Sequence, residues 1–178
     1  NYRFVSGNVL HPLPFAHETF DYVHQRLLVA AIPLPHWPGV ISELIRVTRP
    51  GGWLELVEAG TEFTNPGPLT RRFLAWGIAA STSRGLDARG IPHLGEMMHA
   101  SGLHAVQKRS LAIPIGAWAG RPGIMMKENL LSAMTGLKAL YTRGGIAEDE
   151  FTHLLTRLPD EWESYRSAYH FFIFYARK

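Results

Sequence analysis

Two segments of the chain decide its fold: Phe20–His24, with the sequence FDYVH, and Trp53–Glu58, with the sequence WLELVE. Both are rich in aromatic and branched residues and alternate apolar with polar positions, which is typical of β-strands. Between them, apolar residues recur at helical spacing from Val40 to Val47, after Pro38, a residue that suits the first turn of a helix. This order of strand, helix and strand predicts neighbouring parallel strands covered by helices.

The rest of the chain continues the alternation of strands and helices. The pattern predicts a short strand at Phe4–Ser6, helices near 68–80 and 93–101, a strand within 103–115, helices near 124–140 and 148–158, and a last strand at Tyr169–Tyr175. The last strand is almost wholly apolar, so it is predicted to be buried on both faces. We therefore expect an α/β fold in a single domain over residues 1–178, with a helical insertion at 116–165 before the last strand.

Composition excludes several classes of protein. The chain has 178 residues, 46% of them apolar, and no cysteine, which excludes a disulfide scaffold and a thiolate zinc site. The formal charge of +3 is scattered, so nucleic-acid binding rests only on the basic isoelectric point and is not predicted. No apolar run approaches the ~20 residues that span a bilayer, so no membrane partner is predicted. His93, Glu96 and His99 are spaced too widely for a helical metal pair, and no metal site is predicted.

Several short pieces between Leu13 and Glu58 occur in a set order. They are LPF at Leu13–Phe15, the FDYVH strand, a tryptophan before the helix at Trp37, and RVTRPGGWL at Arg46–Leu54. Their order and spacing resemble the class I S-adenosylmethionine-dependent methyltransferases, over about a third of the chain. The resemblance implies a Rossmann-like sheet, S-adenosyl-L-methionine as cofactor, and in-line methyl transfer to a small-molecule acceptor by a cytoplasmic enzyme.

The resemblance also implies a contact to the adenine of the cofactor. Gly7, Asn8 and Val9 occupy the place where the family ends its third strand. The side-chain carbonyl of Asn8 would accept a hydrogen bond from the adenine amine, and the Val9 backbone N–H would face a ring nitrogen. The alternative is that Asn8 caps a turn, which asparagine often does.

Further roles follow from the family's fourth and fifth strands. His24, Gln25 and Arg26 would lie beside the methionine part of the cofactor, because ligands bind at the carboxyl ends of parallel strands. His24 is a weak candidate for a general base, and the alternative is a hydrogen-bonded structural histidine. Asp21 is expected to pair with nearby turn groups. Glu58 is a candidate contact to the acceptor substrate, the alternative being a solvated carboxylate at a strand end.

Two features of the family do not occur in this sequence. They are the glycine-rich turn after the first strand and the acid that holds the ribose, and we expect both to lie upstream of the chain. The sheet is thus expected to be incomplete at its N-terminal half, with an exposed edge at the Phe20 strand. That edge, or the helical insertion, is expected to form a homo-oligomer, and the insertion is an alternative lid over the acceptor site. The alternative function is a non-catalytic oligomerising or binding module on a truncated methyltransferase fold.

Overall fold

The computed structural model describes residues 2–82 and 84–178, in which four strands form one mixed sheet. The strands are β1 (Phe20–Arg26), β2 (Thr48–Thr64), β3 (His104–Pro114) and β4 (Ala168–Arg177). Their order across the sheet is β1-β2-β4-β3. Strands β1 and β2 are parallel, whereas β4 runs antiparallel to both β2 and β3. The predicted pair of neighbouring parallel strands is confirmed, and so is the α/β fold class.

Six α-helices connect or follow the strands. They are α1 (Trp37–Val47), α2 (Pro68–Thr82), α3 (Leu94–Ala100), α4 (Gly120–Gly136), α5 (Lys138–Arg143) and α6 (Glu148–Tyr165). Short 3-10 helices occupy Leu34–His36, Ala88–His93 and Ala117–Ala119. The helices predicted from apolar spacing are confirmed in position, and α4, α5 and α6 fill the segment between β3 and β4. The single helix predicted near 124–140 is divided into α4 and α5, and α6 continues beyond the predicted end at 158, through Pro159 to Tyr165. The assignment of the chain to one domain with an insertion stays a prediction.

The connection from α1 to β2 is very short. Helix α1 ends at Val47 and β2 begins at the next residue, with the Thr48 hydroxyl donating to the Leu44 carbonyl. Residues 49–52 form a bulge within β2, because Phe20 of β1 pairs with Thr48 while Tyr22 already pairs with Trp53. Glycine is required there, since Gly51 has a φ of +78° and a Cβ on Gly52 would lie 2.8 Å from the Asp21 carbonyl oxygen.

The molecule has two hydrophobic cores. In the first, α1 and α3 pack on one face of the sheet, where fully buried side chains include Ile41, Leu54, Met98 and Phe174. In the second, α2 packs against α4, α5 and α6 beyond the ends of the strands. Its buried side chains include Phe73, Leu130, Tyr141, Phe151, Leu158 and Trp162. Each such side chain contributes roughly 1.5–3 kcal/mol to folding, so both cores are substantial.

The other face of the sheet is largely uncovered by the described residues. Tyr22 on β1 is 55% exposed and Trp53 on β2 is 46% exposed. The prediction that the last strand is buried on both faces is therefore wrong. Phe172 and Phe174 lie against the helices and are buried, whereas Ile173 and Tyr175 point to the open face and are half-buried. Apolar composition did not distinguish the faces, because both carry large apolar side chains.

The predicted strand at Phe4–Ser6 is also wrong. No described residue before Phe20 belongs to a strand, and Phe4 is 77% exposed. A short extended run is stable only when a neighbouring strand completes its hydrogen bonds, and none of the four strands lies beside it. Strand β1 accordingly lies at one edge of the sheet, as the sequence predicts.

A buried acid joins α6 to the first turn of α2. The Glu161 carboxylate accepts hydrogen bonds from the backbone N–H groups of Leu69 and Thr70, at 2.7 and 2.8 Å, and from the Thr70 hydroxyl at 2.7 Å. It satisfies N–H groups that a helix start leaves without partners. Gly67 makes room for it, since a Cβ there would lie 2.2 Å from the Glu161 carboxyl carbon.

We predict that Glu161→Ala lowers the free energy of unfolding by about 2 kcal/mol, because the buried N–H groups at the start of α2 lose their acceptor. Chemical denaturation followed by circular dichroism measures the change. Asp160→Ala, at an exposed position on the same helix, is the control and should change stability by less than about 0.5 kcal/mol. Equal effects for the two variants would contradict this account of the α2 start.

Candidate active site

The carboxyl end of β1 lies beside a buried carboxylate of β2. Glu58 of β2 is fully buried, and its Oε1 accepts hydrogen bonds from Gln25 Nε2 at 2.9 Å and from the Leu28 backbone N–H at 2.8 Å. Its Oε2 accepts from the Val29 backbone N–H at 3.1 Å. One side chain thus fixes the loop that follows β1. The alternative of a solvated carboxylate is wrong, and the contact to the acceptor substrate stays a prediction.

Burial raises the pKa of the Glu58 carboxyl above its ordinary value, and the hydrogen bonds from Leu28, Gln25 and Val29 partly oppose that rise. Desolvation penalises the charged form, whereas the three N–H donors favour it. The loop after β1 therefore depends on an acid whose ionisation is costly and whose two oxygens both accept hydrogen bonds from neighbouring donors.

Gln25 presents a buried acceptor beside this carboxylate. Its amide nitrogen is used by Glu58, but no hydrogen-bond partner among the described residues reaches its Oε1. A buried carbonyl oxygen without a donor costs about 1–3 kcal/mol, so the position is suited to a donor from outside the chain. An ammonium group is such a donor. The predicted position of Gln25 beside the methionine part of the cofactor therefore fits an observation made in the structure.

His24 and Gln25 point to opposite faces of the sheet, because successive strand residues alternate. His24 lies on the open face, where its Nδ1 is 2.8 Å from Glu55 Oε1, and the Tyr22 hydroxyl donates to the same oxygen at 2.9 Å. Arg26 is exposed at the end of the strand. The structure therefore does not bring together the three residues predicted to surround the cofactor. The contacts of His24 match the alternative, a hydrogen-bonded structural histidine.

The two residues predicted at the adenine lie elsewhere, on the outer side of α1. Asn8 Oδ1 accepts a hydrogen bond from the Leu10 backbone N–H at 3.0 Å, which is the turn role that the sequence offered as an alternative. Val9 packs partly buried against the first core and lines a shallow cleft of about 330 Å³ together with Pro35 and Glu43. The adenine contact stays a prediction for both residues.

Asp21 has the structural role expected of it. Its two carboxylate oxygens accept hydrogen bonds from one nitrogen of the Arg49 guanidinium, at 2.9 and 3.1 Å. Arg49 belongs to the bulge at the start of β2, so the pair ties the bulge to β1. Both side chains are exposed, and such pairs contribute little to stability.

A cavity that the sequence did not predict lies beyond the same strand ends. It has a volume of about 240 Å³. Its floor is formed by the loop after β1 and by residues 59–61 of β2, and its walls by α2 and α5. The residues that line it include Val29, Gly60, Phe73, Gly77, Leu140, Tyr141 and Tyr169. The only sequence signal for the cavity was the apolar content of residues 124–141, which indicated that this segment packs against another surface.

The phenols of the cavity are held in their neutral form. Burial raises the pKa of Tyr169 to about 12, with a smaller contribution from the charge of Glu58. Its hydroxyl donates to the Gly60 carbonyl at 2.9 Å. Burial also raises the pKa of Tyr141. Asp87, the carboxylate at the rim, has a lowered pKa because the Arg89 guanidinium binds it. The cavity is thus suited to binding and alignment rather than to proton abstraction.

Two other features, a metal site and a membrane-spanning helix, are absent from the residues that the structure describes. No three histidine, aspartate or glutamate side chains among residues 2–82 and 84–178 are placed to hold a metal ion. No helix in the same ranges is both long and apolar enough to cross a lipid bilayer.

The first third of the chain matches a known protein family. Residues 1–56, which include β1, α1 and the first half of β2, match the family model of the methyltransferase domain. Residues 1–56 are therefore similar in sequence to a methyltransferase domain. The resemblance inferred from Leu13 to Glu58 is confirmed, and it extends over nearly the same residues.

Curated methyltransferases are similar to this chain beyond residue 56 as well. N-methyltransferase gliN of Aspergillus fumigatus is 28% identical over 169 residues, covering 83% of this chain and 56% of that protein. Methyltransferase str2 of Strobilurus tenacellus is 26% identical over 172 residues, covering 90% of this chain and 62% of that protein. The alignments thus include the helices after β3. The chain spans about half the length of the curated relatives it matches.

Solved structures support the methyltransferase fold. The YcgJ protein of Bacillus subtilis superposes with a TM-score of 0.53 at 17% identity, covering 99% of this chain and 70% of that one. The cyclase SpnF superposes with a TM-score of 0.51 at 18% identity, covering 98% of this chain and 56% of that one. Identities this low establish the fold alone. The name of SpnF shows that the fold serves more than one reaction.

We predict that stability depends on Glu58 in a pH-dependent way. Because burial raises its pKa in the folded state, its ionisation costs folding free energy as pH rises from the unfolded value of about 4.5 through the folded one. Wild type should therefore lose stability relative to Glu58→Gln as pH rises through that window. Below the unfolded pKa and above the folded pKa, the difference between the two proteins should be constant.

Denaturant unfolding of both proteins at pH 4.5, 6 and 7.5 measures this difference. Glu55→Gln, which changes a carboxylate on the open face, is the control for general effects of charge. A rise in the stability of wild type relative to Glu58→Gln with increasing pH would show that the three hydrogen bonds outweigh desolvation, contrary to the prediction.

Proposed function

We propose that the protein is an S-adenosyl-L-methionine-dependent methyltransferase that acts on a nitrogen atom of a small molecule. The match of residues 1–56 to the methyltransferase domain carries the proposal, because this segment contains the carboxyl end of β1, and ligands of parallel sheets bind at such strand ends. The nitrogen acceptor is supported by the name of gliN as an N-methyltransferase. A small acceptor is supported by the cavity of about 240 Å³ beside the end of β1.

The chain offers part of a site for the cofactor. Gln25 Oε1 is a buried acceptor that suits the cofactor's ammonium, and the loop braced by Glu58 offers backbone groups beside it. Asn8 and Val9 are the residues proposed at the adenine. When bound, the cofactor supplies an electrophilic methyl group on a sulfonium sulfur. The glycine-rich turn of the family does not occur in residues 1–178, so these residues supply only some of the contacts expected in the family.

The protein's own contribution to the reaction is proposed to be alignment. A bound cofactor would supply the methyl group to the acceptor nitrogen, with S-adenosylhomocysteine as the leaving group, and the proton lost from that nitrogen would go to water. Holding the two reactants in line lowers the entropic cost of this displacement. The neutral phenols and the arginine-bound Asp87 provide no base, so the acceptor is proposed to react as an already neutral amine.

We expect Asn8→Ala to weaken binding of S-adenosyl-L-methionine about fivefold, the equivalent of roughly 1 kcal/mol for one hydrogen bond. Titration calorimetry on the protein expressed from its complete gene is the measurement. Asn8→Asp keeps an acceptor oxygen and should retain most of the affinity. Thermal melting of both variants shows whether loss of the Asn8–Leu10 hydrogen bond has also lowered the stability of the protein.

Three outcomes would count against the proposal. Absence of any binding of S-adenosyl-L-methionine or S-adenosylhomocysteine by the wild-type protein would overturn the function. Equal affinity of wild type and Asn8→Ala would overturn the adenine contact. Binding without transfer of a radiolabelled methyl group to any amine in a panel of small heterocycles would overturn the small nitrogen acceptor.

The second candidate is a non-catalytic module that assembles through its sheet. The free edge of β1 and the exposed aromatic side chains Tyr22 and Trp53 favour it, since such surfaces pair with other chains. We propose a homo-oligomer through this edge or through α4–α6 for either function. Light scattering beside a thermal-shift assay with the cofactor separates the two candidates, because the module would be oligomeric and unaffected by the cofactor.

A further inference from the structure

A surface cleft between α2 and α5 adjoins the cavity beside the end of β1. The cleft has a volume of about 610 Å³, and its lining residues are Ala79, Ala80, Arg84, Leu140, Arg143 and Gly144. Arg84 and Leu140 also line the cavity of about 240 Å³, so the cleft and the cavity meet at these two residues. One ligand can therefore occupy the cavity and contact a group that faces the cleft.

Arg84 carries a positive charge that is not paired within the described part of the chain. No hydrogen bond or ion pair joins its guanidinium to another described residue, whereas Arg89, five positions later, is bound by Asp87. The backbone N–H of Arg84 donates to the Ser81 carbonyl at 2.9 Å, so the turn after α2 fixes the backbone from which this side chain extends. The guanidinium is thus available to a ligand.

Arg143 adds a second positive charge to the cleft, from the α5 side. Its Nε donates to the Ala139 carbonyl at 3.0 Å, and no carboxylate among the described residues pairs with it. No acidic residue is among the described residues that line the cleft. The cleft is therefore positively charged on both of its sides, which favours an anion.

The cavity itself combines one unpaired cation with apolar surface. Its one acidic lining residue is Asp87, whose two oxygens accept hydrogen bonds from the Arg89 guanidinium, each 2.8 Å long. Arg84 is the one cation among the described residues that line the cavity. Much of the remaining lining is apolar and includes Phe73, Leu74, Ile78 and Leu137. The volume lies below the ~300–1,000 Å³ of pockets for drug-sized ligands, so the cavity suits a body of one or two rings.

We propose that the cavity and the cleft together bind a small organic acid, whose apolar ring lies in the cavity and whose carboxylate pairs with Arg84, with Arg143 as a second positive group. A carboxylate matches the planar guanidinium, which donates two parallel hydrogen bonds to it. A single negative charge balances the single unpaired cation of the cavity lining, and the apolar ring is desolvated without loss of polar partners.

The role of this acid as the acceptor of methyl transfer rests on the proposed function, whereas its binding does not. Val29, three residues after the end of β1, lines the same cavity and donates its backbone N–H to Glu58. The bound acid would therefore lie beside the loop that is proposed to hold the cofactor.

Four probes test the class of ligand: 1-naphthaleneacetate, its neutral analogue 1-naphthaleneacetamide, 1-naphthyl phosphate and acetate. Titration calorimetry and ligand-detected NMR on the protein expressed from its complete gene measure their binding. The naphthaleneacetate should bind at least about tenfold more tightly than the amide, which lacks the charge, and than acetate, which lacks the ring. Equal binding of the acid and the amide, or no binding of either, would overturn the proposal. Tighter binding of the phosphate would overturn the choice of a carboxylate.

Arg84→Gln tests the position of the carboxylate. It should weaken binding of 1-naphthaleneacetate about tenfold and change binding of the amide by less than about twofold. Arg143→Gln should cause a smaller loss, of about threefold. Arg157→Gln is the control, because it removes the same charge at an exposed position of α6, a helix that lines neither the cleft nor the cavity. Equal losses in Arg84→Gln and Arg157→Gln would show a general effect of charge and would contradict the contact.

Ile78→Ala tests the position of the ring. Ile78 lines the cavity and belongs to neither hydrophobic core, so the variant should fold. It should weaken binding of 1-naphthaleneacetate about fivefold and leave binding of acetate unchanged, because only the ring loses contact area. Ile124→Ala, which removes the same atoms from an exposed position on α4, is the control. Unchanged affinity of Ile78→Ala for the naphthaleneacetate would overturn the placement of the ring in the cavity.

Failure of this inference and failure of the proposed function give different results. If the complete protein binds S-adenosyl-L-methionine and methylates an amine equally well with and without Arg84→Gln, the acid is not the acceptor although the function holds. If the probes and variants follow the predicted pattern but the cofactor does not bind, the acid site stands and the methyltransferase proposal fails.

Discussion

The three hydrogen bonds of the Glu58 carboxylate are the interaction on which the candidate site depends. A loop that leaves a buried strand end must find partners for its backbone N–H groups, and here a side chain from the adjacent strand accepts from Leu28 and Val29. The same carboxylate holds Gln25, whose other amide atom remains available to a ligand. One buried acid therefore fixes both the shape of the loop and the orientation of the acceptor beside it.

The sequence predicted the central part of the fold because its signals are local. The apolar spacing of α1 and the alternation in β1 and β2 each lie within about ten residues, and a helix between two strands implies a parallel pair. The errors arose where local signals do not decide. The run at Phe4–Ser6 has strand composition but no neighbour, and β4 has apolar residues on both faces although only one face is covered.

The candidate site was predicted less well, for a physical reason. The position of a strand end follows from sequence, but the face to which a side chain points depends on the register. His24 and Gln25 are adjacent in sequence, yet one pairs with Glu55 on the open face and the other with Glu58 on the covered face. The cavity is harder still, because Gly77 and Tyr141 meet only when α5 packs on α2, and no motif marks either residue.

The two hydrophobic cores are linked through the wall of the cavity. Glu161 of α6 fixes the first turn of α2 across 91 residues of sequence, and the Trp162 indole donates to the Thr70 hydroxyl beside it. Phe73 and Gly77 follow on the next turns of the same helix, where they form the cavity wall. The position of that wall relative to the strand ends is therefore set by α6, which does not itself line the cavity. Of the helices between β3 and β4, α5 itself forms one wall of the cavity. Helix α6 sets the position of a second wall, because it fixes the start of α2. A change in the packing of α6 would move the α2 wall while leaving the Glu58 loop in place, because the loop is held by β2 and belongs to the first core.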